Sequence, residues 1–542
     1  MAARPGAQGA SPGPRPPARR FDVGTPFGGN VEPDALGSAA AGAGTPLRGT
    51  FETVVDAMDA AVEQFGTAEA YVDGGQRVSF AAWIDAADRL AAALVDRGVR
   101  PGDVVAIVLP SSIDFAVAFA AALRAGAVAT AVNTRLGPRE VAAIMARCEP
   151  ALAFVPGGCV PPGLPDGLPT VDRDGLERAA RGPTLARPVR RSPTDPAVIV
   201  WTSGTTGLPK GAWFDHLNLR AAVTSAGVMT GPFDRRLAST PFAHAGYMTK
   251  LWEQLAWATT TVISPTPWRA ADMLRLLVDE RITVAGGAPA QWAKLLEQPA
   301  LDDADLSALR LGIAATAPVP PELVAEVERR CGCPLVVRYA MTECPSITGT
   351  EPGDPPEVLH RSVGRPQAGI DVAIRDDHGH PVGSGEVGRV HVRGACVMRG
   401  YWNEPELTAE VLDDHGWLRS GDLGFVDAAG NLSLVGRVDD MYVRGGYNVY
   451  PLEVERVLDE HPAVAGAAVV GVPAPVLGEI GVAFITVEAG SQPPTLEELR
   501  TFCRERLADY KAPDRLEVVE ALPLTAMMKV DKAALRALAT AR

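Results

Sequence analysis

Apolar positions recur along most of this chain in alternating helical and strand rhythms. Ser79 is placed to cap a helix in which Phe80, Trp83, Ala87, Leu90 and Leu94 share one face, and Gly98 ends it. The uninterrupted run Val104-Val105-Ala106-Ile107-Val108-Leu109 then predicts a buried strand. The longest apolar stretch, from Phe115 to Val132, is broken by Arg124 and Gly126, so it reads as a buried helix followed by a strand and not as a membrane span. The alternation continues through Phe154-Val155-Pro156 and again from Asp272 to Val284, which predicts an α/β architecture with largely parallel sheets. Past about Ile370 the texture changes. Val372-Ala373-Ile374, the turn Asp377-His378-Gly379 and the run 387–392 predict short strands and turns in a β-rich unit. From about Asp439 a third texture begins, with a helix expected over 451–458, a strand over 467–472 and a helix over 496–507, enough for a small α+β domain.

Composition bounds this picture without changing it. At 542 residues, 47% hydrophobic and 21% charged, the chain is long enough for a large core without disulfides or structural metals. Residues 1–49 are dense in Pro, Gly and Ala and carry four arginines before any acid, which predicts a flexible tail. Arg19-Arg20-Phe21 lacks the apolar run that a twin-arginine signal requires. A formal net charge of −14 argues against a nucleic-acid partner. Seven scattered cysteines suit a reducing, cytoplasmic setting, and neither Cys331 with Cys333 nor His378 with His380 has the companions of a metal site.

The chemistry is concentrated in a few stretches. The first is Val198-Ile199-Val200-Trp201-Thr202-Ser203-Gly204-Thr205-Thr206-Gly207-Leu208-Pro209-Lys210-Gly211. A buried strand there runs into glycines and hydroxyls closed by a lysine, a composition that lets backbone N–H groups surround a polyphosphate. It is not a Walker loop: Gly211 follows Lys210, and Trp213-Phe214 predict a strand where a helix would start.

This loop resembles the phosphate loop of the adenylate-forming superfamily. Four further stretches match the family in order: Tyr339-Ala340-Met341-Thr342-Glu343; Gly421-Asp422-Leu423-Gly424; Gly436-Arg437-Val438-Asp439 running on to Gly445-Gly446-Tyr447; and Leu522-Pro523-Leu524-Thr525 through Lys529. The resemblance is to the acyl-CoA synthetase branch, and it implies a large N-terminal AMP-binding domain over 50–438 with a small mobile C-terminal lid over 439–542. It also implies ATP, Mg²⁺ and coenzyme A. Thr202, Ser203, Gly204, Thr205, Thr206, Gly207 and Lys210 would hold phosphates, and Thr342 the α-phosphate. Glu343 would hold the metal, Tyr339 lie against adenine, and Asp422 with Arg437 bind the ribose region. Lys529 would bridge carboxylate and α-phosphate, and Asp439 would be the hinge. Gly446 would leave room for the pantetheine arm after rotation. Met528 stands where relatives usually have glycine, while Lys532 matches a second basic position.

Thr240-Pro241-Phe242-Ala243-His244 resembles the Pro-x-aromatic-His segment of acyl-CoA synthetases, and it makes His244 a candidate pocket gate. Residues 237–250 carry no carboxylate to pair with an α-amino group, which disfavours amino acids. Met248, Trp252, Ala288, Pro289, Trp292 and residues 314–317 are expected to line an apolar pocket. The expected reaction is ATP-dependent ligation of a fatty or other hydrophobic carboxylic acid to CoA. The alternatives are an acyl-adenylate ligase that loads a carrier protein and a catalytically altered nucleotide-binding relative. A homodimer is left open.

Overall fold

A computed structural model describes residues 46–158, 160–202, 209–316, 319–525 and 529–541. The tail expected over 1–49 therefore lies mostly outside the described residues, as do Ser203, Gly204, Thr205, Thr206 and Gly207. The packed body begins before residue 50: Leu47 is buried and its N–H bonds to the Ala256 carbonyl at 3.2 Å.

Among the described residues two large sheets form the body. One runs in the order 400–401, 210–215, 196–202, 128–131, 104–107, 152–154, 170–171; it is parallel from 196–202 onward and antiparallel at its 210–215 edge. The other runs 365–366, 344–349, 335–341, 311–315, 284–287, 235–238, 260–263, 69–73, 76–79, with a parallel centre and antiparallel edges. The expected α/β, parallel-rich body is thus observed. Phe80, Trp83, Phe115, Phe119 and Phe242 fill a continuous core that touches both sheets.

The local readings hold where the pattern was strong. Helix Phe80–Asp96 is capped by Ser79, whose hydroxyl accepts from Ala82 N–H. The long apolar run becomes helix Ile113–Arg124 and strand Val128–Ala131. Arg124, which interrupts that run, is buried and accommodated by two carboxylates, with Asp59 at 2.7 Å and Asp88 at 2.8 Å. Among the described residues no helix is long and apolar enough to cross a membrane.

The β-rich unit is an antiparallel sheet of Ile370–Arg375, Gly388–Gly394, Leu418–Val426 and Leu432–Arg437. After the exposed 3₁₀ turn Val438–Asp440 comes a separate mixed sheet built on Val464–Ala474 and Gly478–Val487. Helices Pro451–Asp459, Leu496–Arg504 and Lys532–Thr540 belong to this part of the chain, and Val454, Leu458, Leu499 and Leu535 are their buried anchors.

Candidate active site

The glycine-rich loop joins two antiparallel strands, Pro196–Thr202 and Lys210–Asp215, which set Thr202 opposite Lys210 at the loop's base. The strand after Lys210 confirms the departure from a Walker loop. The Lys210 ammonium sits 5.3 Å from the ring centre of Tyr401. Tyr401 in turn donates its hydroxyl to the Glu343 carboxylate at 2.8 Å. One aromatic side chain therefore couples the base of the phosphate loop to the expected metal ligand. Sequence reasoning missed Tyr401, whose position depends on strand 400–401 pairing with Ala212 and Trp213. Glu343 is buried, with its carbonyl accepting from Met398 N–H at 2.8 Å; adjacent Thr342 is half-buried. Among the described residues no three His, Cys, Asp or Glu side chains cluster as a metal cage. A lone carboxylate beside a phosphate loop is the donor set that suits Mg²⁺, which takes few protein ligands and relies on substrate phosphates.

On the neighbouring antiparallel sheet, Asp422 and Arg437 are cross-strand partners, and Arg437 Nε lies 3.3 Å from Asp422 Oδ1. Tyr339, from the end of strand Leu335–Met341, donates its hydroxyl to the other Asp422 oxygen. Burial pushes the Asp422 carboxyl above its ordinary range, and Arg437 and the Tyr339 bond oppose that rise. Burial, then the Asp422 charge, pushes the Tyr339 phenol well up, so it remains a donor.

Lys529 enters this arrangement from the far end of the sequence. Although its segment is exposed, burial of the ammonium and the nearby Arg437 lower its pKa, while Asp422 and Glu343 pull the other way. The imidazole of His244 is held at about 4, first by burial and then by the Lys529 charge. Lys529, Arg437, Asp422, Glu343 and His244 thus lie within one electrostatic neighbourhood. Lys532 does not join it: its Nζ pairs with Glu455 at 2.8 Å and Asp440 at 3.7 Å. His244 caps the short helix Ala245–Met248, with Nδ1 accepting from Gly246 N–H at 3.1 Å. That bond fixes the ring beside the site.

Gly446 occupies a hairpin tip with φ of 88°, between strands Tyr442–Arg444 and Tyr447–Val449, and Tyr447 stacks on Tyr510. The apolar lining needs correction. Ala314 and Trp292 pack into the core on the helix-covered side of the nine-stranded sheet, where Trp292 Nε1 donates to the Ile313 carbonyl at 3.0 Å. Strand parity puts Ala315 on the opposite face.

Comparison with known proteins matches two family models, "AMP-binding enzyme" over residues 58–402 and "AMP-binding enzyme C-terminal domain" over residues 453–529. The chain is 35% identical to the 3-[(3aS,4S,7aS)-7a-methyl-1,5-dioxo-octahydro-1H-inden-4-yl]propanoyl:CoA ligase of Mycobacterium tuberculosis, over 90% of this chain and 99% of that one. It is 34% identical to a feruloyl-CoA synthase of an Amycolatopsis species, over 88% and 95%. Among solved structures, ATP-bound MatB from Rhodopseudomonas palustris superposes with a TM-score of 0.81 at 28% identity, over 89% and 98%. An anthranilate CoA ligase in complex with anthranoyl-AMP superposes at 0.82 and 28% identity, over 90% and 98%.

Proposed function

The chain belongs to the family of AMP-binding enzymes, and from that premise we propose how its site carries out ATP-dependent ligation of a hydrophobic carboxylic acid to coenzyme A. The observation that carries the reading is the convergence of Lys529 with Asp422, Arg437 and Glu343, which share no stretch of sequence.

A carboxylate and the α-phosphate of ATP repel, so cations must stand between them before a C–O–P bond can form. Lys529 is the mobile cation that would bridge the two, and Thr342 would hydrogen-bond the same phosphate. Lys210, with the residues of the loop it closes, would neutralise the β- and γ-phosphates. Asp422 would accept from the ribose hydroxyls, with Arg437 holding its charge in place. Tyr339 would lie along the adenine. Glu343, steadied by Tyr401, would hold Mg²⁺, which when bound neutralises phosphate oxygen charge. Attack of the substrate carboxylate oxygen on the α-phosphorus expels pyrophosphate and leaves an acyl-adenylate.

The second half-reaction needs Lys529 withdrawn. Asp439, exposed in the 3₁₀ turn between the two sheets, is placed to act as the hinge. Rotation there would bring the Gly445-Gly446 tip toward the body, where the absence of side chains suits a narrow pantetheine arm. The CoA sulfur then attacks the acyl carbonyl, and AMP leaves. The relatives whose names specify CoA favour CoA over a carrier protein as acceptor. The six described cysteines are all free and buried, which supports a cytoplasmic setting.

The test is acid-dependent exchange of pyrophosphate into ATP, followed by mass detection of acyl-CoA. Exchange with apolar or ring-bearing acids is expected. No exchange across a broad acid panel would overturn the reading.

A further inference from the structure

The residue immediately before Tyr339 is an arginine that the reaction scheme above does not use. Arg338 lies on strand Leu335–Met341 with its side chain 6% exposed, and none of its three guanidinium nitrogens has a hydrogen-bond partner. Its nearest carboxylate, Glu351, is 3.9 Å away, too far for a hydrogen bond. A buried, unsatisfied guanidinium is costly, and native interiors rarely tolerate one without an occupant for it.

The surroundings give the guanidinium no hydrogen-bonding partner. Arg338 is in register with Ala315 on one side and Gly349 on the other, and it lies so close across Gly349 that a Cβ there would collide with the guanidinium. The buried acids nearby are committed elsewhere: Asp354 pairs with Arg365 at 2.6 Å. Glu253 pairs with Lys250 at 2.8 Å and Arg236 at 2.9 Å, and against the opposing effect of burial these cations hold its carboxyl at about 2. The acids around Arg338 thus act on it through space without bonding it.

Its position identifies the occupant. The strands Val284–Gly287, Leu311–Ala315 and Leu335–Met341 end here at their carboxyl edges, where open α/β sheets bind ligands. His244, beside Lys529, stands at one end of the segment that continues through helix Leu251–Trp257 to Glu253, whose charge reaches Arg338. Tyr339, the next residue on the strand, bonds Asp422 at the nucleotide end, so Arg338 occupies the same carboxyl edge as the nucleotide residues.

We propose that Arg338 binds a second oxygen acceptor, a carboxylate or a ketone, at the far end of the acid substrate, so that the preferred substrates are hydrophobic acids oxygenated away from the reacting carboxylate. This rests on the ligase reading and narrows its substrate class.

The test compares octanoate, 7-oxooctanoate and octanedioate in pyrophosphate exchange with the wild-type chain, and measures their direct binding by calorimetry in parallel. At least one oxygenated acid should exceed octanoate by about tenfold or more in kcat/KM, because a site built to bond an oxygen penalises the analogue that lacks it. The keto and dicarboxylate arms tell a neutral acceptor from a charged one. In Arg338→Met the ratio should fall to about one or invert, expressed mainly in KM, and Arg338→Lys should restore part of it. Exchange that proceeds with octanoate equal to or better than both oxygenated acids would overturn the subsite and leave the ligase intact. So would an Arg338→Met variant that keeps the wild-type ratio. If no acid supports exchange but calorimetry keeps the preference, the ligase reading falls and the subsite stands; equal affinities overturn the subsite. Should both variants fail to fold, the wild-type ratio alone decides.

Discussion

The two ends of the proposed site treat charge in opposite ways. At the nucleotide end, Asp422 has both Arg437 at 3.3 Å and the Tyr339 hydroxyl, and Glu343 has Tyr401 at 2.8 Å. At the acyl end, Arg338 is one residue from Tyr339 yet no nitrogen of its guanidinium is bonded. A site for a fixed ligand can be organised in advance, with each donor and acceptor held by a neighbour until the ligand arrives. A buried cation without a hydrogen bond is organised only for a ligand that brings its own acceptor. On the proposed reading, the nucleotide end holds a ligand of fixed chemistry, and the acyl end is where a choice among acids would be made.

The most severe disruption of the nucleotide end is Lys529→Ala. Removing the cation that stands between two anions should lower acyl-adenylate formation by roughly three orders of magnitude, while thioester formation from supplied acyl-adenylate is largely kept. Lys532→Ala is the matched control. Its closer partner is Glu455 at 2.8 Å, and it makes no contact with Asp422, Arg437 or Glu343, so adenylation should stay within about tenfold of wild type. Single-turnover assays of the two half-reactions check both. Equal loss of both half-reactions in Lys529→Ala would remove its assigned role, and a Lys532 variant as inactive as Lys529→Ala would erase the distinction between the two lysines.

A smaller effect is expected at Asp422. Asp422→Asn removes a charge that Arg437 and Tyr339 both engage, and KM for ATP should rise by roughly 10- to 100-fold. Deoxyribose analogues of ATP make the assignment specific. Wild type should discriminate against them, and the variant should show little further penalty, as expected when the same contact is deleted from either side. Additive losses would place the ribose elsewhere. The acyl end should not respond: the oxygenated-to-plain acid ratio set by Arg338 should be unchanged in Asp422→Asn.

Much of this was legible before the structure. The Ser79 cap, the strand after Lys210 and the small α+β unit follow from local pattern, and local pattern is what periodicity measures. The nucleotide residues were proposed from motifs that resemble a known family, and the structure brings Tyr339, Asp422 and Arg437 together. What failed was parity. Ala314 and Ala315 were read together as pocket lining, but neighbours on a strand face opposite ways, and only register shows that Ala315 accompanies Arg338 while Ala314 faces the core with Trp292. Tyr401 was invisible for a related reason. Its contact with Glu343 spans 58 residues and depends on an edge-strand pairing that leaves no periodic trace. Arg338 drew no attention in the sequence, since a missing hydrogen bond cannot be seen along the chain.

The subtlest expected effect joins the two ends through His244. Its imidazole sits at about 4, below the ordinary 6.5, chiefly because burial disfavours the cation and secondarily because Lys529 repels it. Both causes oppose protonation, so His244 should remain neutral across the physiological range and contribute no inflection near pH 6.5 to the acid's KM. In Lys529→Ala the repulsion is removed while burial remains, so the midpoint should rise, though by less than the full difference from 6.5. Nuclear magnetic resonance titration of the histidine ring protons measures this, with His244→Gln identifying the resonance. A midpoint near 6.5 in wild type would mean that the ring is solvated and not part of the site. A midpoint that is low in wild type but unmoved by Lys529→Ala would mean that Lys529 does not approach the acyl end, so the two ends would not meet at His244.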